Sequence, residues 1–180
     1  RVLPLLPRLF SRLPKYPMDI RPMPELQRAT ASPYYTGPAP DGSRPGVFYV
    51  GAGGEPAQFN VAIMTSLLLH EGQPGHHFQG SRQIELDLPD FRRWGWNSAF
   101  GEGWALYAET LGIVMGVYDV PTQYLGHLKQ ELLRAVRLVT DTGLHAKGWT
   151  REATMRYMMD TEGASEAEAR QATERYMAWP

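Results

Sequence analysis

The residues whose types could hold and use a divalent cation fall in two short stretches. His70, Glu71, His76 and His77 lie in His70-Glu71-Gly72-Gln73-Pro74-Gly75-His76-His77, and Glu102 lies in Gly101-Glu102-Gly103-Trp104-Ala105. The chain contains no cysteine, so a metal would have to be held by histidine and carboxylate. In the common zinc-hydrolase pattern two histidines four apart share a helix face, and the glutamate after the first is the general base. Here the fourth position is Pro74. On a straight helix His76 would stand about 120° round from His70, and His77 would return to that face roughly 10 Å further along the axis. Pro74 removes a hydrogen bond to the His70 carbonyl, and Gly75 admits backbone angles that other residues resist. The spacing therefore predicts a kink or π-type bulge that draws His76, or alternatively His77, alongside His70. The plainer alternative is that Pro74-Gly75 ends the helix and leaves the histidines on a surface corner.

Glu102 and Glu109 are seven residues apart, which puts both on one helix face with Leu106. A carboxylate on an apolar face must be paired, protonated or metal-bound to offset its desolvation. Glu102 is read as the third ligand, against the alternative of a salt bridge to Arg92, Arg93 or Arg137. Glu109 is read as a supporting or structural residue. For a developing oxyanion the candidate donors are His145, Tyr107 and Arg137. Arg134, Arg137, Asp141 and His145 recur at three and four on one predicted helix, with Arg137 and Asp141 the expected pair. His145 reads equally well as a cation at a helix C-terminus, and His127 as a surface residue.

The elements that must position these groups divide the chain. Residues 1–55 carry most of the 15 prolines and are expected to be extended or looped. Within them Tyr34-Tyr35 and Val47-Phe48-Tyr49-Val50 read as a β-hairpin or small sheet, and Val47 to Val50 as an open edge that could pair with an extended substrate. From Glu55 a helical period through Phe59, Ala62, Ile63, Ser66, Leu67 and His70 predicts a helix running into the histidine stretch. A second helix is predicted from Phe91 to Val117. A third runs from Pro121 to about Leu144, with Leu125, Leu132, Leu133, Val136 and Val139 facing inward. Thr150 and Ser165 read as N-caps of two shorter helices, Ser165 with Glu168 forming a capping box. The expected architecture is a single mainly α domain (α+β) over residues 1–180, with 56–180 the helical segment that carries the metal site.

The formal charge of -1 gives no sign of a nucleic-acid partner. The longest apolar stretch, Val61 to Leu69, is far short of the ~20 residues that span a bilayer. The first residue, Arg1, and the closing Ala178-Trp179-Pro180 read as mid-chain sequence, so a fragment of a longer protein is expected.

His-Glu-Gly-Gln-Pro-Gly-His-His at 70–77 followed by Gly-Glu-Gly-Trp-Ala-Leu-Tyr-Ala-Glu at 101–109 resembles the bacterial domain-of-unknown-function family 885. Arg44-Pro45-Gly46, Asp141-Thr142-Gly143-Leu144-His145 and Gly148-Trp149-Thr150 extend the likeness along most of the chain. That family is similar to glutamate-zinc metallopeptidases, where a histidine-glutamate helix precedes a glutamate ligand on the next helix. Glu102 follows His76 by 26 residues, which suits that layout. The resemblance implies a zincin-like fold with Zn2+ on His70, His76 and Glu102, and it favours His76 over His77.

The combined reading is a zinc-dependent hydrolase acting on a peptide or small amide, with Glu71 as general base. The alternatives are a non-catalytic binding protein on a degenerate metallopeptidase scaffold and a metal-dependent hydrolase of non-peptide esters or amides. A cell-envelope or periplasmic location is expected if an export signal precedes the chain.

Overall fold

Residues 1–27, 33–51 and 60–178 are described in the computed structural model. Missing proline donors keep the N-terminal part out of long helices, and Leu3–Arg8 and Glu25–Gln27 form only short 3-10 turns. Three strands precede the α-helices: β1 (Met18–Pro22), β2 (Tyr34–Thr36) and β3 (Gly46–Val50). β2 and β3 pair antiparallel with Tyr35 opposite Phe48, which is the expected partnership. β1 joins the far side of β3 in parallel, with Ile20 opposite Phe48.

The strand order is thus β1-β3-β2. This corrects the reading of Val47 to Val50 as an open edge, because β3 is hydrogen-bonded on both sides and has no free ladder for a substrate backbone. Val47 and Phe48 are each 1% exposed, consecutive residues buried on opposite faces as a central strand requires.

The helices are α1 (Val61–Glu71), α2 (His76–Glu85), α3 (Asp90–Arg93), α4 (Ser98–Val114), α5 (Pro121–Lys147), α6 (Arg151–Glu162) and α7 (Glu166–Ala178). The Asn60 side chain accepts from the Ala62 amide and opens α1, while the predicted start at Glu55 lies outside the described residues. α1 does not bend through the histidine stretch. It stops at Glu71, and α2 starts at His76. The predicted helix from Phe91 to Val117 is also two helices. Trp94 to Asn97 interrupts it, and the Asn97 side chain restarts the chain as α4 by accepting from the Phe100 amide. Asparagine as a cap outweighs the apolar period on either side of it.

Packing divides the chain into two compact units, Arg1–His127 and Leu128–Pro180. In the first, α1 and α2 lie against α4, and β2 touches α2. Leu69, Ala105 and Ala108 are fully buried there, small residues on α4 allowing close approach. In the second, Val136 of α5, Met155 and Met158 of α6, and Ala169 and Tyr176 of α7 form the core. Thr150 caps α6, Gly163 ends it in the left-handed conformation, and Ser165 with Glu168 forms the expected capping box before α7.

The expected inward stripe of α5 is only partly present. Val136 is buried, but Leu125, Leu132 and Val139 are exposed, and the buried positions include His127, Thr140 and Gly143. Thr140 can take this place because its hydroxyl donates back to the Val136 carbonyl at 3.0 Å. Among the described residues no helix is long and apolar enough to cross a membrane.

Candidate metal centre

Gly72 closes α1 by donating to the Leu68 carbonyl, and the Gln73–Pro74 peptide bond is cis. The Gly72 carbonyl then accepts from the amides of His77 (3.1 Å) and Phe78 (3.4 Å), which ties the start of α2 to the end of α1. Gly75 is required in this corner, since a Cβ there would fall 1.9 Å from the His70 carbonyl oxygen. A break followed by a new helix thus achieves what a bulge was expected to do. The rings of His70 and His76 meet edge to face with centroids 4.7 Å apart.

Glu102 reaches both. One carboxylate oxygen is 3.3 Å from Nε2 of His70, and the other is 3.5 Å from Nε2 of His76. Among the described residues, these three side chains form the histidine and carboxylate group able to hold a metal, with one ligand atom from each within 4.8 Å of the others. The two imidazoles, His70 first, hold the Glu102 carboxyl well below the ordinary carboxylate range, against the opposing effect of burial. Its partner is thus the histidine pair and not one of the arginines. The Glu102 side chain keeps 59% of its surface open, so the cluster is accessible.

His70 is held from behind as well. Its Nδ1 lies 2.8 Å from Glu109, whose other oxygen accepts from the Ser66 hydroxyl. Ser66 and His70 are one turn apart on α1, and Glu102 and Glu109 are two turns apart on α4, so the two helix faces meet over this pair. The Tyr118 hydroxyl donates to Ser66 Oγ (3.3 Å) and to the Glu109 carbonyl (3.0 Å).

His127 Nδ1 stands 3.4 Å from Ser66 Oγ and 3.8 Å from Glu109, and its ring stacks on Tyr118 at 4.9 Å. At 1% exposure His127 is not the surface residue expected. Gly126 explains why: a Cβ there would lie 2.1 Å from the Ala62 carbonyl, so the start of α5 presses directly on α1.

The fit to a metal can be judged from these contacts. Nδ1 of His70 donates to Glu109, so a ring carrying that single proton would turn its Nε2 lone pair toward a carboxylate oxygen. Two acceptors at that distance need a cation or an added proton between them. At about 2.0–2.1 Å per bond a tetrahedral zinc site has ligand atoms roughly 3.3 Å apart, close to the two separations found. A direct charged hydrogen bond would be nearer ~2.8 Å. Nδ1 of His76 is buried without a partner, so this second ring has its Nε2 side as its polar contact with the cluster.

Residues 1–180 match, over their whole length, the family described as "Bacterial protein of unknown function (DUF885)". The chain belongs to this family. Two solved structures resemble this DUF885 chain, each of a protein described as a "putative lipoprotein". The one from Colwellia psychrerythraea is 39% identical with a TM-score of 0.92, over 99% of this chain and 31% of its own. The one from Shewanella oneidensis, described as of unknown function, shares the fold with a TM-score of 0.74 at 23% identity, over 98% of this chain and 34% of its own. This DUF885 chain thus spans about a third of each. No curated protein matches it.

The remaining expected site residues are dispersed. His77 is fully buried, with Nε2 donating to the Tyr16 carbonyl at 3.0 Å and Nδ1 accepting from the Tyr35 hydroxyl at 2.8 Å. Both ring nitrogens are therefore used in tying α2 to the β region, which distinguishes it from His76. Burial pushes the pKa of His77 down and that of the Tyr35 hydroxyl up.

Glu71 is buried at the last position of α1. Tyr107 is exposed on α4, its ring 5.9 Å from that of Trp104. Arg137 and His145 belong to the second unit. There Arg137 lies over the Tyr176 ring at 5.1 Å, and His145 Nε2 donates to the Tyr176 carbonyl at 3.0 Å. Asp141 faces His145 at 3.8 Å, in place of the expected pairing with Arg137. Sequence reasoning missed Ser66, Tyr118 and His127 as neighbours of the cluster. The four-residue step from Ser66 to His70 was the available signal for the first of them.

Proposed function

We propose that the first unit is a zinc-dependent hydrolase of peptide or related amide bonds. One observation carries this reading: His70, His76 and Glu102 converge from three helices, and Glu109 fixes the outer nitrogen of His70. The layout of a histidine-glutamate helix and a later glutamate helix is similar to that of glutamate-zinc metallopeptidases. A zinc ion bound there would supply Lewis acidity for polarising water and a carbonyl oxygen.

The chain's own residues do the rest. His70 and His76 present Nε2, and Glu102 presents its carboxylate from the exposed side. Glu109 selects the His70 tautomer that turns the Nε2 lone pair toward the Glu102 side. Glu71 accepts the proton of the attacking water and transfers it to the departing amine. Tyr107, on the helix that carries Glu102, is the candidate oxyanion donor within this unit. The description of both solved relatives as lipoproteins supports a place in the bacterial cell envelope.

The test is Glu71→Gln in zinc-loaded protein, followed by mass spectrometry of a peptide pool. The reading expects turnover to be lost while zinc is retained. Undiminished turnover in the variant, or none in zinc-loaded wild type, would contradict it.

A further inference from the structure

A groove of about 650 Å³ is formed by α2, α3 and the start of α4. That is within the ~300–1,000 Å³ of small-ligand sites. Its walls include Phe78, Leu86, Phe91, Trp96, Phe100 and Trp104. Phe91, Trp96 and Phe100 are 75%, 63% and 62% exposed, and large apolar groups left open together mark a binding surface.

The groove shares its walls with the histidine cluster. The Trp96 ring is 5.8 Å from that of His76. Its indole also covers Gly101, the neighbour of Glu102, where a Cβ would fall 2.1 Å from the ring. Trp104 donates to the Pro74 carbonyl at 2.8 Å, in the corner between His70 and His76. A substituent next to a bond held at the cluster would lie toward the groove, past Trp96. The charged lining residues are Arg82 and Arg92. Arg82 is paired with Glu85, which leaves the groove with the positive charge of Arg92, beside Phe91.

We propose that this groove is a side-chain subsite that takes a bulky apolar side chain of a peptide, aromatic or long aliphatic, and rejects basic ones. The position of the cleaved bond rests on the hydrolase reading, while the binding chemistry of the groove is independent of it. Aromatic walls offer a large contact area, and the arginine repels lysine and arginine side chains.

The test uses the full 180-residue chain loaded with zinc. N-acetyl-phenylalaninamide, N-acetyl-alaninamide and N-acetyl-lysinamide are titrated in turn, with tryptophan fluorescence as the readout. The phenylalanine amide is expected to give a saturable change, and the lysine amide none. Phe91→Ala with Phe100→Ala, at exposed positions and checked for folding by circular dichroism, should weaken the phenylalanine amide roughly tenfold. Cleavage of a peptide pool should then favour bonds flanked by large apolar residues. Equal responses to the three amides, or a double variant indistinguishable from wild type, would overturn the subsite. Saturable binding of the phenylalanine amide without cleavage of any peptide keeps the subsite and counts against the hydrolase. Cleavage without side-chain preference does the reverse.

Discussion

The Glu109 carboxylate accepts from Nδ1 of His70 at 2.8 Å, in a place where both side chains are almost wholly buried. A buried carboxylate is costly unless its oxygens are satisfied, and this one is shared between His70 and Ser66, with His127 close by. Its position determines which nitrogen of His70 faces Glu102. The network behind the cluster thus controls the cluster, and it can be tested apart from any turnover.

Removing Glu109 should weaken zinc binding without touching a ligand. Glu109→Ala is expected to lower zinc affinity by about 10–100-fold, the range for outer partners of metal-binding histidines. Glu109→Gln, which keeps an acceptor for Nδ1, should lose less. Competition titration with a chromophoric chelator measures both, and equal affinity in all three proteins would show that Glu109 is only a packing residue.

His127 should behave as an interior residue. His127→Ala removes a buried polar ring from Tyr118 and Ser66, so a loss of roughly 1–3 kcal/mol is expected in urea unfolding. A true surface histidine would change stability by less than about 0.5 kcal/mol. A value in that lower range would restore the surface assignment.

Phe48 tests the position of β3. As a fully buried residue of the central strand, Phe48→Ala should cost about 3–5 kcal/mol and lower the melting temperature markedly. If the variant melts with wild type, β3 is not the middle of a packed sheet.

The capping box of α7 should give a pH-dependent contribution. The Glu168 carboxylate accepts from the Ser165 amide at 2.8 Å and hydroxyl at 2.7 Å, and these contacts hold it below its ordinary value of 4.5. A depressed folded value means the contribution is complete above about pH 4.5 and is lost as pH falls through the folded value. Ser165→Ala should therefore cost about 1 kcal/mol near neutrality and progressively less at lower pH. A cost that stays constant down to pH 3 would contradict the contact.

Much of this was legible because it is local. The Thr150 and Ser165 caps, proline density, and the seven-residue step from Glu102 to Glu109 all act within a turn or two. The cluster itself followed from residue types, although its route did not. A proline four residues after His70 left both a bend and a stop open, and the end of α1 at Glu71 with the start of α2 at His76 shows that the chain stops and restarts. What escaped depends on distant partners. β1 is only five residues long, with Pro17 before it and Pro22 at its end, so its brief Met18-Asp19-Ile20-Arg21 alternation was lost among the prolines, yet β3 supplies its ladder. His127 looks like any polar residue on an amphipathic helix until Gly126 brings that turn against Ala62. The apolar period of α5 pointed to leucines that remain exposed, while Thr140 is buried because it satisfies its own hydroxyl.

The most direct measurement is the zinc content of the purified, reconstituted chain, with His76→Ala and Glu102→Ala beside wild type and Tyr107→Phe as the control outside the ligand set. Near-stoichiometric zinc in wild type and the control, falling in both ligand variants, is the predicted result. A folded wild-type chain that takes up no zinc, or ligand variants that keep it, would contradict the account.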